Sequence, residues 1–169
     1  MAEGFPATDI NSASVELIKI KSLMQITAGS FHLPIGLIDG PIDVNHSALK
    51  KSRIVQIIGD GQDSTFSANG AIEHGTFMAG ILASHRDYLP SICPKCPIVS
   101  YPIFDDKYVD PQTSTGRLSE AIIRIINSGV KIINLSLEIP FPTYRKYPEL
   151  EDALYHAIKN EVIMYRTEQ

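Results

Sequence analysis

The sequence predicts an α/β fold built on a parallel sheet, and three observations carry that expectation. Short apolar runs of strand length alternate along the chain with longer segments whose apolar residues recur at helical spacing. The clearest run, Pro34–Asp39, is apolar without a break, as in a strand covered on both faces. Gly, Pro, Asp and Ser punctuate the joints between segments. Strands alternating with helices imply parallel pairing through helical crossovers.

Each element follows in order. Residues 1–14 read as a loose leader, and residues 15–169 as one domain or part of one. Val15–Met24 has apolar residues at helical spacing and predicts a helix. Pro34–Asp39 is the first core strand, stopped by Gly40-Pro41. Arg53–Ile58 is a second strand, with Val55, Ile57 and Ile58 apolar. Gly59 to Gly70 is rich in Gly, Asp, Ser and Asn and reads as a loop. His74–Ser84 is a helix, with Ala79 and Gly80 small enough to lie close to a neighbouring backbone. Pro97–Tyr101 is a strand. In the helix Thr115–Ser128, the residues Leu118, Ala121, Ile122, Ile125 and Ile126 form one stripe, and Gly129 ends it. Lys131–Leu137 is a strand, Leu150–Lys159 a helix, and Val162–Tyr165 a last strand.

Composition removes several classes of function. Hydrophobic residues make up 44% and charged residues 20% of the 169, which is ordinary for a globular domain. A formal net charge of −4 and the lack of a basic cluster argue against nucleic acid as a partner. No run approaches the length of a membrane-spanning helix, so no membrane partner is expected. The N-terminal residues have neither a basic start nor an apolar core, and a cytoplasmic location is the simpler reading. Cys93 and Cys96 form one Cys-x-x-Cys. A zinc site would need a second ligand pair, and a redox motif would open a helix after a strand. Two reduced loop thiols are the remaining reading.

Two segments carry the chemistry. Asp39 ends the apolar strand, where open α/β sheets place their sites. Taken alone, an Asp before Gly also suits a turn. His74 falls at or just before the start of its predicted helix, where the dipole disfavours the imidazolium and keeps the ring available as a base. Taken alone, it equally fits a packing or capping role. Together, an acid followed by a histidine has the order Asp, His, Ser of one of the convergent hydrolytic triads.

The surrounding residues resemble the subtilisin-like serine proteases, or subtilases. Ile35-Gly-Leu-Ile-Asp39-Gly-Pro-Ile-Asp43-Val-Asn-His46 is similar to the family's aspartate motif, and His74-Gly-Thr-Phe-Met-Ala-Gly80 to its histidine motif. Gly129-Val-Lys-Ile-Ile-Asn134-Leu-Ser136-Leu resembles the strand that lines the substrate cleft. The resemblance implies a doubly wound parallel sheet with helices on both faces. It implies Asp39 and His74 as catalytic residues, and Leu135, Ser136 and Leu137 as substrate-binding ones. Asp39-Gly40-Pro41 and the Cys93–Cys96 stretch look like the subtilase domains of cyanobactin maturation proteases. Those enzymes cut modified precursor peptides, and some macrocyclise them.

Departures from the family shape the remaining expectations. No Asn follows the strand at Val162 to complete an oxyanion hole, and no Gly-Thr-Ser segment supplies a nucleophile. The chain thus reads as the N-terminal part of a protease domain, C-terminally truncated and inactive by itself. An uncovered sheet edge would favour a complementing chain or self-association. A catalytically inactive peptide-binding pseudoprotease is the alternative reading. Glu138 stands where the family usually has Gly; it would either obstruct a substrate or read a basic residue in it. Asp43 matches a position that supports calcium or the local turn, but its other ligands are not found. No cofactor is expected. The partner expected is a peptide or protein substrate.

Overall fold

The computed structural model describes residues 19–59, 70–85, 91–104, 113–136 and 147–166. In chain order the elements are α1 (Lys21–Ile26), β1 (Ile35–Asp39), β2 (Ile54–Gln56), α2 (Gly70–Ala83) and β3 (Ile98–Pro102). They continue with α3 (Thr115–Asn127), β4 (Ile132–Leu135), α4 (Pro148–Lys159) and β5 (Ile163–Arg166). The strands form one sheet in the order β2-β3-β1-β4-β5. All four pairings are parallel. The chain starts at the centre with β1, passes to the edge strand β2, returns to insert β3 between them, and then crosses β1 to build β4 and β5 outward on the other side. This is the doubly wound arrangement.

Alternation along β1 explains its two covers. All five of its residues are buried. Ile35 and Leu37 pack with Ala79 and Ala83 of α2. Ile38 packs in the second cluster with Leu118, Ile122 and Ile125 of α3 and Leu150 of α4. Gly36 lies on that second side: a Cβ there would stand 2.6 Å from Ile125 and 3.1 Å from Ile133. Its missing side chain lets α3 sit close to the central strand.

The stripe predicted on α3 is buried in full, at Leu118, Ala121, Ile122, Ile125 and Ile126. Ser114 caps the helix by accepting from the Arg117 N–H at 3.2 Å. Gly129 follows the helix with φ +83, a left-handed conformation that glycine adopts without a Cβ penalty. Removing Ile125 side-chain atoms should leave a hole facing Gly36. Ile125→Ala is expected to cost about 2–5 kcal/mol, read from the urea midpoint. A loss below 1 kcal/mol would show that α3 does not close this side of the sheet.

Three expectations need correction. The first helix spans Lys21–Ile26 and buries none of its residues. Its predicted start at Val15 lies outside the described residues. The helix carrying the histidine begins at Gly70, not at His74. His74 therefore sits beyond the first turn, where the dipole effect has largely faded. The physical reason is tertiary: Ala71 is buried against the turn after β1, which holds the extra turn in place. The strand β4 is shorter than Lys131–Leu137, and Leu137 and Glu138 lie outside the described residues. No helix among the described residues is long and apolar enough to cross a membrane.

Candidate active site

Asp39 shares its parity on β1 with Ile35 and Leu37, so it faces α2. The turn that follows is glycine and proline. A Cβ on Gly40 would collide with the Ala71 carbonyl, and a Cβ on Gly75 with the carbonyls of Gly40 and Pro41. The first turns of α2 thus rest backbone-to-backbone on the Gly40-Pro41 turn. His74, one residue before Gly75, is carried against the strand end.

The loop beyond this turn is tied on two sides. The Ile42 N–H donates to Gln56 Oε1 at 2.6 Å, and the Asp43 N–H to Thr76 Oγ1 of α2 at 2.9 Å. Asp43 Oδ1 accepts from the Asn45 N–H at 3.0 Å, an Asx turn. Asp43 therefore serves the local turn. Among the described residues no group of three or more His, Cys, Asp or Glu is placed to hold a metal ion.

The central contact is between the acid and the base. His74 Nδ1 lies 2.8 Å from Asp39 Oδ1. The Asp39 side chain has no exposure, whereas that of His74 is 51% exposed. Oδ1 also accepts from the Gly40 N–H at 2.5 Å. A carboxylate only accepts, so Nδ1 is the donor in this contact, and in the neutral ring the lone pair is then on Nε2. With Nδ1 held on the buried acid, Nε2 is the ring nitrogen that has no hydrogen-bond partner among the described residues. Among the described residues Asp39 is the one side chain hydrogen-bonded to this ring.

The strand β4 borders the same place. Leu135 pairs with Ile38, and its side chain joins the core on the α3 side. The Ser136 N–H donates to the Ile38 carbonyl at 3.2 Å. Asn134 and Ser136 alternate with Ile133 and Leu135, so they lie on the α2 face with Asp39. Asn134 Nδ2 donates to Ser136 Oγ at 2.9 Å. A cavity of about 440 Å³ lies between α2 and the loop after β1, lined by Ile72, Glu73, Thr76 and Phe77 on one side and Asp43, His46 and Ala48 on the other.

Cys93 and Cys96 are free and buried. The Cys93 thiol donates to the Leu82 carbonyl at 3.2 Å, and Cys96 Sγ accepts from the Ser30 N–H at 3.4 Å. Burial, with the adjacent Cys96 as a second cause, pushes the Cys93 thiol up to about 12. Such a thiol packs and is a poor nucleophile.

With this geometry, the comparisons decide the family. Residues 32–166 match the model of the subtilase family. The chain belongs to the subtilase family. No curated protein matches it. Among solved structures, the prenylagaramide maturation protease PagA is similar, with a TM-score of 0.72 and 25% identity over 87% of this chain and 50% of that one. The patellamide maturation protease PatA gives a TM-score of 0.66 and 26% identity over 82% of this chain and 48% of that one. The nisin leader peptidase NisP from Lactococcus lactis shares the fold, with a TM-score of 0.65 at 17% identity over 86% of this chain and 46% of that one. This subtilase chain spans about half the length of the structures it matches.

Three features of the subtilase site escaped sequence reasoning. The Gly40–Gly75 backbone contact joins two sites 35 positions apart, and no local pattern reports it. The early start of α2 depends on that contact. Asn134 was visible as a polar residue in an apolar strand, and its parity with Ser136 was the available signal.

Proposed function

We propose that the chain supplies the acid and the base of a serine endopeptidase that cuts peptides, with precursor peptides as the substrate class. The observation that carries this reading is the 2.8 Å contact from a fully buried carboxylate to a half-exposed imidazole. Family membership and the similarity to two maturation proteases support it.

The mechanism follows from the proton positions. Asp39 holds Nδ1–H and fixes the tautomer, so Nε2 accepts. A serine hydroxyl, supplied by further chain or by another chain, attacks the peptide carbonyl while Nε2 takes its proton. The imidazolium so formed is stabilised by Asp39 and then protonates the leaving amine. Leu135 is paired on both sides, with Ile38 and Arg166, so aligning an extended peptide would fall to the residues after it, Ser136 and Leu137. The outer edge of β5, where Ile163 is 66% and Tyr165 63% exposed, suits a complementing chain or a second copy. A cytoplasmic setting fits the two free thiols.

The test is complementation. A segment carrying the family's Asn and Gly-Thr-Ser elements is co-expressed with this chain, and cleavage of a precursor-type peptide is followed. Activity is expected to appear and to vanish in His74→Ala. Full activity in that variant removes His74 from the reaction. A second reading has one observation behind it: among the described residues no hydroxyl bonds to His74. In that reading the chain binds an extended peptide without cutting it, which calorimetry showing binding without turnover in the complemented protein would favour.

A further inference from the structure

We infer that Ser136 is a positioning residue for Asp39, braced from behind by Asn134. The inference rests on the acid–base reading of Asp39 and His74. Its starting point is an asymmetry in the carboxylate. Oδ1 accepts twice, from His74 Nδ1 and the Gly40 N–H. Oδ2 is buried and has no hydrogen-bond partner among the described residues. A buried carboxylate oxygen without a donor is costly, and the carboxylate plane is then fixed from one side only. The residue after the acid is glycine, which brings an N–H but no hydroxyl.

The missing donor stands on the adjacent strand. Ile38 lies opposite Leu135 in the parallel ladder, and the Ser136 N–H continues it by donating to the Ile38 carbonyl. The next pair in register is Asp39 with Ser136. Neighbouring strands are about 4.8 Å apart, and paired residues share a face. Ser136 and Asp39 therefore project side by side toward α2. In this structure the Ser136 hydroxyl is turned to Asn134, whose Nδ2 donates to Oγ at 2.9 Å. Asn134 fills an acceptor site on the hydroxyl and leaves the hydroxyl proton to be given elsewhere. Among the described residues on this face, Asp39 Oδ2 is the buried carboxylate oxygen that lacks a donor. A small turn about χ1, or one bridging water, closes the contact.

Ser100 is the competing hydroxyl. Its Oγ is buried and also lacks a partner among the described residues. Its place in the ladder is opposite Leu37, two residues before the acid. Register therefore selects Ser136. With Ser136 in place, each carboxylate oxygen has a donor, and Oδ1 stays aimed at Nδ1.

The experiment reads the His74 Nδ1–H proton by NMR in this chain, so it needs no nucleophile. Ser136→Ala is expected to speed exchange of that proton with water by about fivefold, the scale of one hydrogen bond. Ser136→Thr, which keeps the hydroxyl, should restore slow exchange. Ser100→Ala should leave it unchanged. Backbone amide protection in β4 should stay the same throughout, which a merely structural role for Ser136 would not give. Should Ser136→Ala fail to fold, Asn134→Ala is expected to shift the same proton in the same direction by less. Unchanged exchange in Ser136→Ala, failure of the Thr variant to restore it, or acceleration by Ser100→Ala overturns the inference. Absence of a protected Nδ1–H in the unaltered protein overturns the acid–base reading itself.

Discussion

Asp39→Asn in the complemented enzyme is expected to lower kcat by roughly 10⁴-fold with little change in stability. The substitution keeps the shape of the side chain and changes only what it offers. An asparagine that turns its amide nitrogen toward His74 presents a donor to Nδ1. The ring then moves its proton to Nε2, and the lone pair needed for the serine proton is lost. The Gly40 N–H and His74 Nδ1 share the Oδ1 position, so an amide oxygen placed there keeps both bonds, and the reaction is then slowed by loss of the charge that stabilises the imidazolium. The measurement is single-turnover cleavage of the peptide, alongside urea unfolding of the same protein. A loss below tenfold, with the fold intact, would show that Asp39 does not set the protonation of the base.

The reach of the sequence differs from one element to the next. The run Ile35–Asp39 is legible because a central parallel strand is covered on both faces and needs apolar residues throughout. Helix α3 is legible because one face meets the sheet and α4 while the other meets water, which imprints a helical period. Helix α2 carries no such imprint. Its buried residues are Ala71, Gly75, Ala79, Gly80 and Ala83, chosen for closeness and not for hydrophobic contrast. Gly70 and Gly75 read locally as breakers, and at Gly75 the missing side chain is what lets α2 rest on the Gly40-Pro41 turn. The acid and the base were found because each sits in a recognisable motif. Their 2.8 Å approach depends on the glycine contact, which has no signature within either motif.

Gly75→Ala tests that contact, and it should go against the usual sign. In an exposed helix interior, replacing Gly by Ala stabilises by about 1 kcal/mol. Here the added methyl meets the carbonyl oxygens of Gly40 and Pro41, which belong to a backbone fixed by Ile42 and Asp43 bonds to Gln56 and Thr76. These oxygens cannot swing aside as the end of a flexible side chain would. Helix α2 must lift instead, which loosens the Ala79 and Ala83 packing on Leu37 and draws His74 away from Asp39. The expected cost is about 3 kcal/mol, the upper part of the range for forcing atoms into a packed site. Loss of the protected His74 Nδ1–H signal should accompany it. Gly70→Ala is the control on the same helix, since a Cβ there meets nothing within 4 Å. That variant should keep both stability and the Nδ1–H signal. If Gly75→Ala instead matches or exceeds the unaltered protein in urea, α2 does not rest on the Gly40-Pro41 turn. The placement of His74 beside Asp39 would then need another cause.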